Sequence, residues 1–335
     1  MVDIDIFNIQ PTQLCKDLRG RFIMLYGQAK SGKTSMSTMW PKPLLCAFEK
    51  GYNALTGVRA ADITSWVQFK KICRQLKDPK AHELYETIII DTVSISYALC
   101  EKYILSQQMV SQISDIGYGK GWNMLKDEFE STFRELTQQG YALVFIAHSK
   151  TRQTEYTDED GNAIEAYAPD LPNAAYQICN RMVDVIGYIG VEYDMKTGES
   201  HRYLYTRGTP HIFAGSRYRY LAPKIPLSYQ NLVDAIADAM EKEANETGTQ
   251  VVDHMEQKAI ASRPFNDVME EAKTVWKQLC EKGKAMPTEE ESTNFLNRMN
   301  GIVKKVFGRE MKLSQATDAQ QDLVELCIDE LKTLL

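Results

Sequence analysis

The 335-residue sequence predicts an α/β fold: a core built on a mostly parallel central sheet, followed by a small all-helical C-terminal domain. Three observations carry this. Between residues 21 and 244, short apolar runs alternate with helical patterns, the rhythm of βαβ units. The first four runs are apolar throughout, as strands covered on both faces must be. Beyond residue 252, apolar residues recur only at helical spacing.

Taken in order, the runs are RFIMLY (21–26), PLLCAF (43–48), TIII (87–90), ALVFIA (142–147), DVIGYIG (184–190) and HRYLYT (201–206). Trp122, Leu125, Phe129, Phe133 and Leu136 recur at spacings of three and four, one face of a helix stopped by Gly140. A further helix over 227–243 closes the core. The polar stretch EKEANETGTQ carries no apolar residue able to anchor it, so residues 245–251 read as a linker. In the C-terminal segment, 252–335, the stripe Leu323, Leu326, Cys327, Leu331 and Leu334 marks the last helix. Residues 1–20 form an N-terminal segment. Its Ile4, Ile6 and Phe7 are candidates for an oligomerisation arm.

Composition narrows the function classes. With 44% hydrophobic and 25% charged residues, the chain is neither fibrous nor wholly disordered. No apolar run approaches the ~18 residues of a membrane span, and the N-terminus lacks the basic-then-apolar order of a secretory signal. A cytoplasmic protein is expected. The seven cysteines form no CxxC pair and are odd in number, which argues for reduced thiols and against a disulfide scaffold or a zinc site. The net charge of −6 means that any nucleic acid must be held by a local patch.

The chemistry is concentrated in Gly27-Gln28-Ala29-Lys30-Ser31-Gly32-Lys33-Thr34, which fits GxxxxGK[ST] and is followed by Ser35. The motif follows a buried strand and precedes a helical stretch, the context it requires. Gly27 and Gly32 let successive backbone N–H groups point into one concavity that suits phosphate oxygens. Lys33 would reach the β- and γ-phosphates of ATP, and the Thr34 hydroxyl would ligate Mg²⁺. This is a nucleotide site.

Thr87-Ile88-Ile89-Ile90-Asp91 is a buried strand ending in an acid. Asp91 could cap a helix near Thr92 and Ser94, but the upstream phosphate loop favours a place in the metal shell. Hydrolysis also needs a group that orients water. Glu49 follows the run at 43–48, on the sheet edge where parallel-sheet sites form. His148 follows the run at 142–147, placed to sense a γ-phosphate by hydrogen bonding. Asp184 begins a strand, which suits a structural role.

The order of phosphate loop, Glu49-Lys50-Gly51, Asp91, His148, then the basic cluster at Arg217 and Arg219, resembles the RecA/RadA-like recombinase core. More narrowly, it resembles the phage-encoded ATP-binding proteins of the Sak group of single-strand annealing proteins. The resemblance covers about residues 18–242. It implies that Glu49 polarises water and that His148 couples the γ-phosphate to DNA-binding loops. It also implies that Arg217 and Arg219 act on a neighbouring subunit's nucleotide, with arginine where lysine is usual. Two DNA-binding loops are implied as well. One lies within 106–121 and contains Tyr118 and Lys120. The other runs from His148 to about Pro172 and contains Lys150 and Arg152. The residues alone also fit a plain hairpin over 154–167, turning at Asp160-Gly161.

The expected function is therefore an ATP-hydrolysing DNA recombination protein that binds single-stranded DNA and promotes annealing or strand exchange as a homo-oligomer. Its C-terminal domain is either a plain bundle or a module for a single-stranded-DNA-binding protein. Two rivals share the phosphate loop: a ring-forming helicase or loader ATPase, and a nucleotide-gated assembly module with negligible hydrolysis. If phage-encoded, the protein would work in the host cytoplasm.

Overall fold

The computed structural model describes residues 14–15, 18, 20–249, 251–252 and 263–335. The candidate arm at Ile4, Ile6 and Phe7 lies outside them. The described residues fall into two compact units, 14–252 and 263–335.

In the larger unit, β1 (Leu14–Cys15) precedes β2 (Phe22–Gly27), which feeds the phosphate loop and the short helix α1 (Lys33–Ser37). β3 (Pro43–Ala47) and β4 (Arg59–Asp62) follow, then α2 (Trp66–Gln75), whose first turn is capped by Ser65 accepting from Gln68 N. α3 (Pro79–Leu84) opens on Asp78 as cap and proline in its first turn. β5 (Thr87–Asp91) is buried along its whole length and leads into α4 (Val93–Gln108) and α5 (Lys120–Gln138).

β6 (Ala142–Thr157) and β7 (Ala163–Pro169) form a hairpin, followed by α6 (Asn173–Met182). β8 (Val185–Tyr193), β9 (Ser200–Tyr205), β10 (Gly215–Ser216) and β11 (Lys224–Pro226) extend the sheet. α7 (Tyr229–Thr247) then packs back, and β12 (Val251–Val252) pairs in parallel with β1. Thus 245–247 continue a helix and 251 joins a strand pair of the larger unit, where the sequence suggested a linker, and 252, expected to begin the C-terminal domain, joins that pair too.

The main sheet runs β11-β9-β8-β2-β6-β5-β3-β4. From β8 through β4 all neighbours are parallel, while β9 and β11 are added antiparallel at one side. The α/β class, the mostly parallel sheet and the C-terminal helices agree with the sequence.

Strand alternation divides the core into two layers. Met24, Tyr26, Ile88, Ile90, Leu143 and Phe145 face α2, α4, α5 and α6. Ile23, Leu25, Ile89, Val144 and Ile146 face α1 and α7. Burying each such aliphatic or aromatic side chain contributes about 1.5–3 kcal/mol before conformational entropy is charged. Trp66 anchors the first layer, stacked on Phe129 with centroids 5.7 Å apart and donating its Nε1–H to Glu128 at 2.8 Å.

Two further sequence expectations need correction, and one strand was missed. Trp122 is exposed, so the buried face of α5 begins at Leu125. The strand from Ala142 does not end near residue 147 but runs on to Thr157. Beyond His148 its polar residues alternate in a hairpin that pairs Ser149 with Pro169. β4 was not expected, because its Arg-Ala-Ala-Asp sequence lies at a sheet edge and only half buries its alanines.

The smaller unit is three helices, α8 (Phe265–Lys284), α9 (Glu289–Phe307) and α10 (Gln321–Lys332). They enclose a separate core that includes Val268, Leu279, Met299, Val324 and Leu331. Lys282 Nζ donates to the Leu334 and Leu335 carbonyls at 2.7 Å, closing the bundle's end. Among the described residues, no helix is long and apolar enough to cross a membrane.

Candidate functional site: a phosphate loop and three strand-end groups

The loop Gly27–Ser35 joins β2 to α1 at the C-terminal edge of the parallel strands. Two positions require glycine. A Cβ on Gly27 would stand 2.6 Å from the Ile189 carbonyl oxygen of the adjacent β8, and Gly32 has φ +101°. Lys30 is also left-handed, at φ 63°. Ser31 N donates to Gln28 O at 3.3 Å, which tightens the loop.

Lys33 is buried, and its ammonium donates to Gly27 O at 3.0 Å and Gln28 O at 2.7 Å. Burial pushes this ammonium below the usual lysine range, against the pull of Asp91 and Glu49. Its hydrogen-bond partners are thus neutral carbonyls of its own loop, a resting position from which an anion would draw it.

Thr34 Oγ1 donates to Asp91 Oδ2 at 2.8 Å, so the hydroxyl at the start of α1 and the acid at the end of β5 already touch. Burial raises the Asp91 carboxyl above the usual carboxylate range. The Thr34 hydrogen bond opposes this, Glu49 adds to it, and Lys33 and His148 oppose it. The Asp91 carbonyl oxygen accepts from Phe48 N at 2.7 Å and Glu49 N at 3.1 Å, which ties the turn after β3 to the end of β5. Glu49 Oε2 then reaches His148 Nε2 at 3.2 Å. His148 stands beside Gly27 in the β2–β6 ladder, where parallel pairing gives way to the hairpin.

Lys33, Thr34, Glu49, Asp91 and His148, chosen from separate stretches of sequence, are therefore gathered at one edge. The residues fit a nucleotide's phosphates and a magnesium ion. The Ser31 hydroxyl, in the middle of the loop, is buried without a hydrogen-bond partner among the described residues. Thr34 and Asp91 supply the hard oxygen ligands that magnesium prefers.

Other candidates lie elsewhere. Arg217 is engaged within its own chain, 3.1 Å from Asp184 Oδ1 and bonded to the Arg181 carbonyl. Asp184 also accepts from Phe22 N at 3.0 Å, the structural role expected of it. Arg219 is exposed, 3.8 Å from Glu246 and over the Tyr220 ring. Lys150 bonds the Leu171 carbonyl and pairs with Asp170 at 3.0 Å. Arg152 and Arg217 both line a cleft of about 1110 Å³ between the hairpin, α6 and the 208–217 loop. Tyr118 and Lys120 sit in the connection into α5, where Tyr118 is fully exposed at φ 56°.

Sequence reasoning missed Arg202, on β9, whose guanidinium lies against Gly32 of the phosphate loop. A faint signal was present. Arg202 is two residues from fully buried Leu204, so the two share the face covered by helices.

Residues 19–218 match the model of the AAA domain family, and the chain belongs to that family, a P-loop ATPase domain. The SPbeta prophage-derived uncharacterized protein YorG of Bacillus subtilis (strain 168) is 32% identical over 342 residues, covering 99% of both chains. Two solved structures show a loose likeness. The flagellar accessory protein FlaH from Methanocaldococcus jannaschii is 10% identical with a TM-score of 0.33, over 63% of this chain and 85% of that one. The KaiC-like protein PH0186 from Pyrococcus horikoshii OT3 is 13% identical with a TM-score of 0.36, over 62% and 85%.

Proposed function

We propose that this chain is an ATP-hydrolysing DNA recombination protein with a RecA-like core, belonging to the Sak group. It binds single-stranded DNA as a homo-oligomer and promotes annealing or strand exchange. Its relation to a prophage-derived protein supports a phage origin. The observation that carries the reading is the meeting of Glu49 and His148 beside Asp91. These are the two positions that the recombinase resemblance assigns to water activation and to γ-phosphate sensing.

In this reading Lys33 leaves its loop carbonyls for the β- and γ-phosphates. Thr34 and Asp91 hold magnesium, which when bound neutralises phosphate charge. Glu49 orients a water and takes its proton as the water oxygen attacks the γ-phosphorus. The bond to the β-γ bridging oxygen breaks, and ADP and phosphate leave. His148 hydrogen-bonds the γ-phosphate at the cost of its contact with Glu49. Because His148 is also the first residue of the hairpin's stem, this exchange gives the nucleotide a handle on the hairpin.

Support for single-stranded DNA comes from the entry into α5. Tyr118 is fully exposed and Trp122 is half exposed on either side of Lys120, two rings for bases and a cation for phosphate. A single-stranded-DNA-binding protein is the proposed partner of the C-terminal helices.

Steady-state ATP hydrolysis with and without single-stranded DNA tests the proposal, with Lys33→Ala as the blank. Stimulation by DNA that disappears in the mutant supports it. Bound ATP without DNA stimulation would point to a nucleotide-gated assembly module, and directional unwinding to a helicase.

A further inference from the structure

The Thr34–Asp91 contact fixes which end of a nucleotide goes where. Asp91 ends β5, Glu49 follows β3, and His148 closes the parallel-paired stretch of β6, all on one side of β2 in the sheet order. A triphosphate whose γ end is drawn toward that side must leave the loop on the other side of β2, where β8 and β9 lie. Arg202 stands there. An ideal Cβ on Gly32 would be 3.8 Å from Arg202 Nη1 and 3.4 Å from Leu227 Cδ2, so this guanidinium lies against the outside of the phosphate loop.

The strand holds it in place. Arg202 pairs with Val191 across the β8–β9 ladder, and its carbonyl accepts from Leu227 N at 2.9 Å. Its charge is uncompensated among the described residues, where no carboxylate forms an ion pair with Arg202, whereas two other cations of this unit do have one. Lys224 on the neighbouring β11 pairs with Glu192, and Arg217 pairs with Asp184. An exposed guanidinium held beside a loop that already carries Lys33 is stabilised by an anion, and its planar fork suits phosphate oxygens.

We infer that Arg202 binds the α-phosphate end of the nucleotide held by its own chain's phosphate loop. This rests on the nucleotide-binding part of the proposed function. It makes Arg202 a nucleotide-contacting residue, with no part in γ-phosphate cleavage.

The test is the affinity of the full chain for Mg-ATP and Mg-ADP by calorimetry, for wild type, Arg202→Gln, Arg202→Ala and Arg202→Lys. Because the α-phosphate is common to both ligands, loss of the guanidinium should weaken ATP and ADP equally, by about tenfold. Lysine should restore part of the loss. The nucleotide-free melting temperature reads out folding separately, and Arg202→Gln keeps most of the side chain's length should the alanine variant fold poorly. Unchanged affinity for both nucleotides, with wild type binding them, overturns this inference and leaves the proposed function standing. A loss confined to ATP also overturns it, since the contact would then be at the γ-phosphate. A wild-type chain that binds neither nucleotide removes both readings.

Discussion

Glu49 Oε2 lies 3.2 Å from His148 Nε2, and the two side chains meet although β5, the strand ending in Asp91, separates their own strands in the sheet. The Asp91 carbonyl anchors the backbone of Glu49, so the acid is held over the site by main chain as well as by His148. Glu49→Gln keeps the shape and loses the base. ATP affinity should be unchanged, while turnover falls by about 10²–10⁴-fold. Single-turnover hydrolysis alongside equilibrium binding checks both halves. Wild-type turnover in this variant would remove Glu49 from the mechanism.

Asp91 carries a stability cost that function explains. Burial raises its folded-state pKa above the unfolded value, so its favourable contribution is complete below the ordinary carboxylate range. That contribution is lost as pH rises through the folded pKa. At neutral pH the ionised acid therefore works against the fold. Asp91→Asn keeps an acceptor for Thr34 and removes the charge. The nucleotide-free variant should melt above wild type at pH 7, with the difference shrinking as pH falls below the unfolded carboxyl range. Magnesium-dependent nucleotide affinity should drop about tenfold or more. Thermal melts across pH, with and without Mg-ATP, read both effects.

Gly27 meets its neighbour too closely to accept a side chain. Gly27→Ala places a methyl 2.6 Å from the Ile189 carbonyl, in backbone that cannot yield without parting β2 from β8. The expected cost is about 1–3 kcal/mol of stability together with loss of nucleotide binding. Denaturant unfolding and nucleotide titration measure the two. A variant with wild-type affinity would show that the loop tolerates a shift of the strand.

Tyr118 and Lys120 should matter to DNA and not to ATP. Tyr118 is fully exposed, so removing its ring leaves no cavity behind. Tyr118→Ala should weaken single-stranded DNA binding by about 1–3 kcal/mol, the worth of one stacked base, with basal hydrolysis unchanged. Lys120→Ala should lower the salt dependence of binding by about one phosphate contact. Fluorescence anisotropy at several salt concentrations separates them, and equal binding by both variants would move the DNA site elsewhere.

What could be seen in the sequence follows from burial. Strands covered on both faces must be continuously apolar, so β2, β3, β5 and the first half of β6 announced themselves, and the glycine spacing marked the loop between them. The edge strand β4 is half exposed and needs no such run, while the hairpin beyond His148 showed itself only by its turn at Asp160-Gly161. The contact of Glu49 with His148 joins residues 99 apart in sequence, and only the strand order brings them together. Arg202 was hidden for a different reason. A lone exposed arginine in a strand looks like solvent-facing charge until the loop it touches is placed.

The smaller unit has its own core, and that core shares no buried residue with either layer of the larger one. Leu279 is fully buried at its centre, on α8, among side chains from α9 and α10. Leu279→Ala should cost the three-helix bundle about 2–5 kcal/mol, from lost burial and the cavity left behind. If the cores unfold as separate cooperative units, the variant's calorimetric trace should show an early transition for the bundle. A second transition should stay at its wild-type temperature and still rise when Mg-ATP is added. One transition that moves as a whole would show that the helices and the ATPase core unfold as a single cooperative unit.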